Sequence, residues 1–600
     1  MIRLLLAVAL AAIALAKLAS SSPIVITDGD HEQTDRYKTT GGRGVVACEV
    51  GYCSDIGADM LARGGSAADA IIAAGFCVGS VSAFHSGLAG GGFALIRSRV
   101  DEHKTHPHKV EFVDFRETAP AAANETMYSA NANKNASTIG GLAVGVPGEV
   151  RYWEYLHKKH GRLSWSELIE PSVKLNRQGF PVVNQLAIAI DQYKDQFICN
   201  DPLFKEVYCA NGTAAGEGDI IKRTRLADTL ETIASQGADA FYKGPIAERT
   251  VKAAQDAGGI LTLEDLANYS VVTREPLSID WHGKYRVWGS SAPSSGAVVL
   301  SALKTASTYS DAELDAGGVN LTTHRLIEAT KFAYGERENY GDPNFVTNVS
   351  SLEAQALSEE DTKKKRSLIK DNTTLPLHSY DTSSYINVEE HGTSALSAMD
   401  PFGLAISMTT TINLLWGSQV MTPDGFILND EMDDFSSPGA ANSYGYQPNP
   451  ANFIRPGKRP LSSISPTIIE DYKTGKASHS VASAGGSRII TANIQINFQA
   501  LRGVDLQEAI AAPRWHDQLQ PPTTVFEWAD STSPHIPGWK GYDNSTVAFL
   551  ASLGHNVSFV QPNQATAQGT YRGLDSHGVV AHEFKGASEI RQLSAKSAAL

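Results

Sequence analysis

The apolar and polar positions predict mostly helices in the first two thirds of the chain and mostly strands in the last third. Amphipathic spacing favours helices within residues 149–252 and 322–340, and a shorter helix is predicted after Ser66, a residue type that caps helices. A glycine-rich run, 87–92, precedes an apolar strand, 93–98. We interpret this run as closely packed backbone, because it lacks the Gly-x-Gly-x-x-Gly spacing and the preceding strand of a dinucleotide site.

The last third of the chain alternates apolar and polar residues as strands do. Such alternation is found at 394–412 and 464–483, and helical spacing returns near 490–512 and 543–553. The residues after about Glu583 are polar and predict a tail without regular structure.

A turn signal at Asp400-Pro401-Phe402-Gly403 separates two alternating runs, 393–399 and 404–413. Paired as a hairpin about this turn, the runs place Thr393 opposite Thr410 and Thr411. The alternative reading is that the threonines only reflect the β-propensity of their side chains.

The composition of the chain is that of a globular protein and argues against a nucleic-acid-binding function. The chain has 600 residues, of which 42% are hydrophobic and 19% charged, as in ordinary globular proteins. Its net charge of −14 argues against a nucleic-acid partner, because such interfaces need clustered cations. Cys-x-x-Cys and His-Glu-x-x-His spacings are missing from the sequence, so we expect no metal site. We interpret His103, His106 and His108 as part of a solvated hairpin loop.

The N-terminus has the parts of a secretory signal peptide. Arg3 precedes an uncharged apolar run, 4–16, which is shorter than a membrane span, and small residues follow. We predict a signal peptide at 1–22, with a signal-anchor as the alternative, and a partly ordered polar segment at 23–40. Many N-glycosylation sequons favour a secreted glycoprotein. They lie at Asn124, Asn135, Asn211, Asn268, Asn320, Asn348, Asn372, Asn544 and Asn556.

Five cysteines are expected to be partly paired in an oxidising compartment. Sequence alone does not fix their connectivity, and the odd number leaves one thiol over. We expect Cys53 to pair with Cys77 and Cys199 with Cys209, which leaves Cys48.

Thr393 is the candidate nucleophile, in the run Gly392-Thr393-Ser394-Ala395. A threonine hydroxyl needs a base, and the freed α-amine of an N-terminal threonine can supply one. Cleavage of the Gly392–Thr393 bond would therefore create nucleophile and base together. The structural alternative is a turn that enters a strand.

Further residues supply the groups that grip an amino-acid zwitterion. Glu431 and Asp434, three apart, can hold an ammonium on one face of a helical turn. Arginine and serine side chains can bind a carboxylate, and glycine backbone amides can form an oxyanion hole. The candidates are Arg116, Ser462 and Ser463 for the carboxylate, Gly485 and Gly486 for the oxyanion, and Thr411 and Asn413 beside the nucleophile.

Together these motifs resemble the γ-glutamyltransferase family of N-terminal nucleophile hydrolases, over about 44–575. The landmarks are Gly64 to Ala70, Arg116-Glu117-Thr118-Ala119-Pro120, Val146 to Arg151, Thr411-Ile412-Asn413, Asn429 to Pro438, Arg459 to Ser463, and Ala484-Gly485-Gly486.

The resemblance implies a four-layer αββα sandwich and autocatalytic cleavage into interlocked large (41–392) and small (393–600) subunits. It implies hydrolysis of, or transfer from, glutathione and other γ-glutamyl amides through a γ-glutamyl-threonine ester, without a cofactor, to water, amino acids or dipeptides. The implied roles are Thr393 as nucleophile, Thr411 as its orienting partner, Arg116, Ser462 and Ser463 at the α-carboxylate, Asn413, Glu431 and Asp434 at the α-amine, and Gly485 and Gly486 at the oxyanion.

Two alternatives remain: an acylase of the same fold that acts on β-lactam side chains, and a catalytically silent secreted homologue. Retention of Arg116, Glu431 and Asp434 argues against the acylase, because a substrate without a zwitterion would leave their charges unpaired. The chain departs from the family pattern at Ala395, where a histidine is usual, and at 574–578, which replaces an Asp-x-Arg sequence. Ala395 bears on the efficiency of maturation and on local strand packing. The change at 574–578 bears on the packing of the C-terminal part.

Overall fold

A computed structural model describes residues 38–99, 108–129, 133–380, 385, 392–439, 447–528, 541–573 and 582–600. The predicted signal peptide, most of the predicted 23–40 segment, His103, His106 and the departure at 574–578 lie outside these residues. The described residues form one compact unit.

Strands from both sides of residue 393 contribute to the sheets. The strands are β1 (Lys38–Gly41), β2 (Val45–Cys48), β3 (Gly91–Arg99), β4 (His108–Asp114), β5 (Phe180–Pro181), β6 (Ile220–Ile221), β7 (Val272–Arg274), β8 (Leu277–Trp281), β9 (Tyr285–Gly289), β10 (Ser394–Met399), β11 (Ala405–Thr411), β12 (Thr467–Asp471), β13 (Ala477–Ala484), β14 (Trp515–His516), β15 (Thr524–Glu527), β16 (Val557–Val560), β17 (Thr566–Tyr571), β18 (Phe584–Ser588) and β19 (Lys596–Ala599).

Most helices precede residue 393, as the sequence predicts. The α-helices are α1 (Gly51–Ala62), α2 (Ala67–Val81), α3 (Glu149–His160), α4 (Trp165–Gln178), α5 (Asn184–Tyr193), α6 (Pro202–Tyr208), α7 (Thr224–Gln236), α8 (Asp239–Tyr242), α9 (Pro245–Asp256), α10 (Leu263–Asn268), α11 (Gly296–Ala306), α12 (Asp311–Arg337), α13 (Val349–Ala356), α14 (Glu359–Leu368), α15 (Arg488–Leu501), α16 (Leu506–Ala511) and α17 (Asn544–Ser552).

Two seven-stranded antiparallel sheets form the centre of the molecule. The first, called sheet A here, has the order β1-β18-β17-β13-β12-β9-β8, and the second, sheet B, has the order β19-β2-β10-β11-β3-β4-β7. An apolar cluster shared by the two sheets includes Phe93 and Met399 of sheet B and Ile468 and Phe584 of sheet A. The sheets therefore pack face to face.

Alternation along the strands gives each sheet a second apolar face, which helices cover. Leu396 and Ile406 of sheet B pack in one cluster with helices α1 to α10. Val287 and Val481 of sheet A pack in another cluster with α11, α12, α15 and α16. These layers form an αββα sandwich, so the predicted fold class is confirmed.

Local signals set the ends of the elements. The Ser66 side chain accepts a hydrogen bond from the Asp69 backbone N–H, and Asp69 bonds back to Ser66, so a capping box starts α2 as the sequence predicts. The helix predicted at 322–340 belongs to α12, which begins earlier, contains a kink at Gly318 and ends at Arg337.

One prediction about the chain ends is wrong where the structure describes it. The residues after Glu583 are not an irregular tail, because β18 and β19 take part in sheets A and B. At the other end, Lys38–Gly41 begins within the last residues of the 23–40 segment, forms the edge strand β1 and pairs with β18. Strand pairing supplies the order that the polar composition does not predict.

Both expected disulfides are present. Cys53 of α1 is bonded to Cys77 of α2, and Cys199 is bonded to Cys209 at the end of α6. Cys48 is a buried free thiol. Among the described residues, no helix has the length and apolar character needed to cross a bilayer.

Close packing of α2 against α3 gives a stability prediction. A Cβ added at Gly75 would lie 2.4 Å from Cζ2 of the buried Trp153 ring. We expect Gly75→Ala to lower the free energy of unfolding by about 1–3 kcal/mol through overpacking. Thermal unfolding would measure this loss. Gly42→Ala is the control, since a Cβ there meets no atom within 4 Å; equal midpoints for the two variants would contradict the prediction.

Candidate active site

The β10–β11 hairpin places the candidate nucleophile. Ser394 pairs with Thr410, and the antiparallel register continues to Met399 opposite Ala405. Thr393, directly before β10, therefore lies opposite Thr411, as the turn signal predicts. The neighbouring strand β3 places Gly91 opposite Thr411.

Hydrogen bonds flank the Gly392–Thr393 peptide bond. The Gly485 backbone N–H donates to Thr393 Oγ1 at 2.8 Å. Thr411 Oγ1 donates to the Gly392 carbonyl oxygen at 2.5 Å and accepts from the Asn413 backbone N–H at 2.7 Å. Thr393 is only 7% exposed. Nucleophile, preceding carbonyl and two of the predicted partners are thus in direct contact.

Residue 392 must be glycine in this conformation. Its φ of +90° is unfavourable for a residue with a side chain, and a Cβ there would lie 2.4 Å from the Asn413 carbonyl oxygen. Asn413 itself has a φ of +72°, a conformation that asparagine tolerates better than most residues.

The predicted oxyanion glycines follow β13 of sheet A. Gly485 and Gly486 have φ values of +122° and +59°, and α15 begins two residues later at Arg488. The N-terminus of a helix carries partial positive charge, which favours negative charge nearby. In the uncleaved chain, the Gly485 N–H binds the nucleophile's hydroxyl rather than an oxyanion.

Arg116, Glu431 and Asp434 form one buried charged cluster. The predicted acidic turn is a 3₁₀ helix, Glu431–Asp434. One guanidinium nitrogen of Arg116 pairs with Glu431, and another pairs with Asp434. Thus the arginine predicted at the substrate carboxylate contacts the two acids predicted at the ammonium. The cluster is 1% to 3% exposed, so its charges are held in a low-dielectric environment.

Hydrogen bonds connect this cluster to the nucleophile's hairpin. The Asn413 side-chain amide donates to the Asp430 carbonyl oxygen at 3.1 Å, and the Asp430 N–H donates to the Ile412 carbonyl oxygen at 3.2 Å. Asp430 directly precedes Glu431. Asn429 Oδ1 accepts from the Glu431 N–H, which further fixes the turn.

The two predicted serines lie in the loop before β12, and Arg337 supports them. Arg337 donates to Ser463 Oγ at 3.2 Å and to Ser295 Oγ at 3.0 Å, and Ser295 Oγ donates to the Ser462 carbonyl oxygen at 2.6 Å. Asn452 links this loop to Asp434 by accepting from the Leu461 N–H and donating to the Asp434 carbonyl oxygen. Arg337 was not predicted from the sequence, where its only signal is a charged residue near the end of a helix.

Two further buried acids also escaped the sequence analysis. Burial raises the pKa of Glu117 to about 8, against the opposing positive charge of Arg116. Gly145 lies between Glu117 and Glu431, since a Cβ there would come within 3.0 Å and 3.4 Å of their Cβ atoms. Burial also raises the pKa of Glu149 to about 8, although Thr410 Oγ1 donates a hydrogen bond to it. The position of Glu117 next to Arg116 was the available signal.

Ala395 lies between the two sheets. It forms a small apolar cluster with Ala482 and Ala484 of β13. The side chain at this position therefore sits where the nucleophile's strand meets the strand that leads to Gly485.

One group of potential metal ligands lies outside this site: His324, Glu328 and His555. The two imidazoles are hydrogen-bonded to each other at 2.8 Å, and the Lys331 ammonium lies 3.2 Å from His555 Nδ1. A cation there would compete with this ammonium. The arrangement therefore fits a hydrogen-bond chain better than a metal site.

The raised pKa of Glu117 predicts a pH-dependent stability. The folded pKa of about 8 exceeds the unfolded value of about 4.3. The preference of the folded state for protonated Glu117 therefore stabilises the protein fully below the unfolded pKa. This stabilisation is lost as the pH rises through about 8. Glu117→Gln stays neutral, so between about pH 6 and pH 9 its thermal midpoint should fall less than that of wild type. The exposed Glu125→Gln is the control, and parallel pH profiles for Glu117→Gln and wild type would contradict the prediction.

The model of the gamma-glutamyltranspeptidase family matches residues 53–599. The chain is 43% identical over 539 residues to the glutathione hydrolase proenzyme of Arthroderma benhamiae, covering 86% of this chain and 87% of that protein. It is 33% identical over 560 residues to the glutathione hydrolase proenzyme of Escherichia coli K12, covering 92% and 91%.

The solved structures support the fold. The crystal structure of cephalosporin acylase from Bacillus halodurans has a TM-score of 0.77 at 24% identity, with coverage of 97% of this chain and 99% of that one. At this identity the likeness concerns the fold alone. The match of the family model and the identity to these relatives show that the chain belongs to the γ-glutamyltranspeptidase family.

Proposed function

We propose that this protein is a γ-glutamyl hydrolase and transferase that acts on glutathione and related γ-glutamyl amides. The observation that carries the proposal is the pair of hydrogen bonds around Thr393, from Gly485 to its hydroxyl and from Thr411 to the preceding carbonyl. They hold a hydroxyl, an activated carbonyl and an oxyanion donor together beside a buried site for a zwitterion.

The first step of the proposal is maturation. Thr393 Oγ1 attacks the Gly392 carbonyl carbon, while the Thr411 hydroxyl stabilises the negative charge that develops on the carbonyl oxygen. An O–C bond forms, the C–N bond breaks, and the hydroxyl proton ends on the Thr393 nitrogen. Water hydrolyses the resulting ester, which leaves a large subunit ending at Gly392 and a small subunit beginning at Thr393.

In turnover, the freed amine of Thr393 acts as the base for its own hydroxyl. The hydroxyl attacks the γ-carbonyl carbon of the substrate, and the Gly485 and Gly486 amides stabilise the oxyanion. The amine then passes the proton to the leaving amine. Water gives glutamate from the γ-glutamyl ester, whereas an amino acid or dipeptide gives a transfer product.

The buried charges select the substrate. Arg116, with Ser462 and Ser463, binds the α-carboxylate of the γ-glutamyl group. Its α-ammonium binds Glu431, Asp434 and the Asn413 side-chain oxygen. An acyl group that keeps the carboxylate but lacks the ammonium would add a negative charge to this buried cluster, which costs several kcal/mol. This cost argues against the acylase alternative.

The proposal includes secretion with N-glycosylation. Eight of the nine sequon asparagines are exposed; the exception is the partly buried Asn320, whose side chain accepts a hydrogen bond from Thr546. Exposure is what a glycan requires, so a glycan could be attached at these eight positions.

The nucleophile can be tested by substitution. Thr393→Ala should remain a single chain on a denaturing gel and lose hydrolysis of a chromogenic γ-glutamyl anilide by roughly 10⁴-fold or more. Thr393→Ser keeps a hydroxyl and should still split, more slowly. Thr373→Ala, at an exposed loop position, is the control. An unsplit Thr393→Ala that turns over like wild type would refute the assignment, and an unsplit wild type would favour the silent homologue.

Substrate selection can be tested with a matched pair of anilides. The γ-glutamyl anilide should react roughly 10³-fold faster than the glutaryl anilide, which lacks the α-ammonium, because the buried acids would otherwise be unpaired. The ratio of kcat/KM values measures this preference. Asp434→Asn should reduce the ratio. Equal rates for the two substrates in the wild-type enzyme would support the acylase instead.

A further inference from the structure

Glu49 connects residues on both sides of the proposed cleavage point. It follows β2, which pairs with β10, and is only 3% exposed. Its Oε1 atom accepts from Ser394 Oγ at 2.7 Å and lies 2.9 Å from His85 Nε2. Its Oε2 atom accepts from the Gln592 side-chain amide at 3.2 Å. The Glu49 carboxylate thus contacts side chains from three distant parts of the sequence.

Two of these partners adjoin the Gly392–Thr393 bond. Ser394 is the residue directly after the nucleophile. His85 Cβ lies 3.4 Å from the position that a Cβ on Gly392 would occupy, and the His85 carbonyl oxygen accepts from the Ile412 N–H at 3.2 Å. The hydrogen bonds of Glu49 therefore restrain the residue after the scissile bond and the residue that packs against its glycine.

The charge of Glu49 suits this arrangement. Burial opposes ionisation, but the neighbouring His85 and the hydrogen bonds from His85 and Ser394 lower the pKa of Glu49 below its usual value. An ionised carboxylate accepts hydrogen bonds on both oxygens, so all its partners can donate.

We propose that Glu49 is a positioning residue for maturation, which holds Ser394 and His85 so that Thr393 Oγ1 stays aligned with the Gly392 carbonyl carbon. The inference rests on the proposed cleavage of this bond. It concerns the shift of the Gly392 acyl group from the Thr393 nitrogen to its oxygen, not the later hydrolysis of the ester. A displacement of about 1 Å between reacting groups can cost roughly 100-fold in rate, so restraint on both sides matters.

The rate of chain splitting tests the proposal. Purified wild type and Glu49→Gln would be followed on denaturing gels, and we expect the variant to split at least about tenfold more slowly. Glu470→Gln is the matched control. Glu470 is also buried, and it accepts from Arg97 Nε at 2.9 Å and Trp288 Nε1 at 2.6 Å, but it lies on β12 of sheet A. Splitting of Glu49→Gln at the rate of Glu470→Gln would overturn the proposal.

Ser394→Ala offers a second test with little change in volume, should Glu49→Gln fold poorly. We expect Ser394→Ala to split more slowly than wild type. Adding Glu49→Gln to Ser394→Ala should slow splitting by a smaller factor than adding it to wild type, because both substitutions disrupt the same hydrogen bond. Wild-type splitting by Ser394→Ala would overturn the proposal, as would full additivity of the two substitutions.

Hydroxylamine separates the two steps, because it cleaves esters. It should not restore wild-type splitting to Glu49→Gln if the acyl shift is the slow step. Full rescue would assign Glu49 to ester hydrolysis and overturn the proposal. Failure of wild type itself to split would instead refute the proposed function on which the inference rests, so the two failures are distinguishable.

Discussion

The close approach of the two sheets is the constraint on which the site depends. Thr393 precedes a strand of sheet B and Gly485 follows a strand of sheet A, so their 2.8 Å hydrogen bond spans both sheets. The side chains between the two sheets are small at this point, where Ala395 of β10 packs against Ala482 and Ala484 of β13. Hydroxyls cross it as well: Ser407 and Thr409 donate to carbonyl oxygens of β13. A larger side chain at 395 would need the facing alanines to move, which gives a packing reason for alanine at this position.

A second close approach, within sheet B, acts on the hairpin of the candidate nucleophile. Gly90 and Gly92 lie so close to β11 that a Cβ would come within 2.3 Å of the Thr411 carbonyl oxygen and 2.1 Å of the Thr409 carbonyl oxygen. The glycine run 87–92 is therefore closely packed backbone, as the sequence predicts, and it packs against β11, the strand that carries Thr411. Strand β11 is therefore held from within sheet B as well as from sheet A, which fixes the position of the Thr411 hydroxyl.

The sequence predicts those parts of the fold and site that local chemistry determines. The turn at 400–403 sets the register that brings Thr393 opposite Thr411, and the acidic spacing predicts the turn that carries Glu431 and Asp434. Contacts between distant segments escape such reasoning: the partners of Glu49 lie 36, 345 and 543 residues away. Strand β18 was missed because its sequence, FKGAS, gains its order from pairing with β17 and β1 rather than from its own pattern.

In the uncleaved chain, the Thr411 hydroxyl is committed to the Gly392 carbonyl oxygen and the Gly485 amide is committed to the Thr393 hydroxyl. A hydroxyl has one proton, so Thr411 cannot donate to a substrate group or to Thr393 while that carbonyl remains in place. The Thr393 nitrogen is an amide there and has no basicity. The proposed cleavage would therefore change two things at once: it would free the Thr411 proton and convert the amide into an amine. On the proposed mechanism the uncleaved chain has neither a free Thr411 proton nor the base that Thr393 needs, although its charged cluster is already assembled.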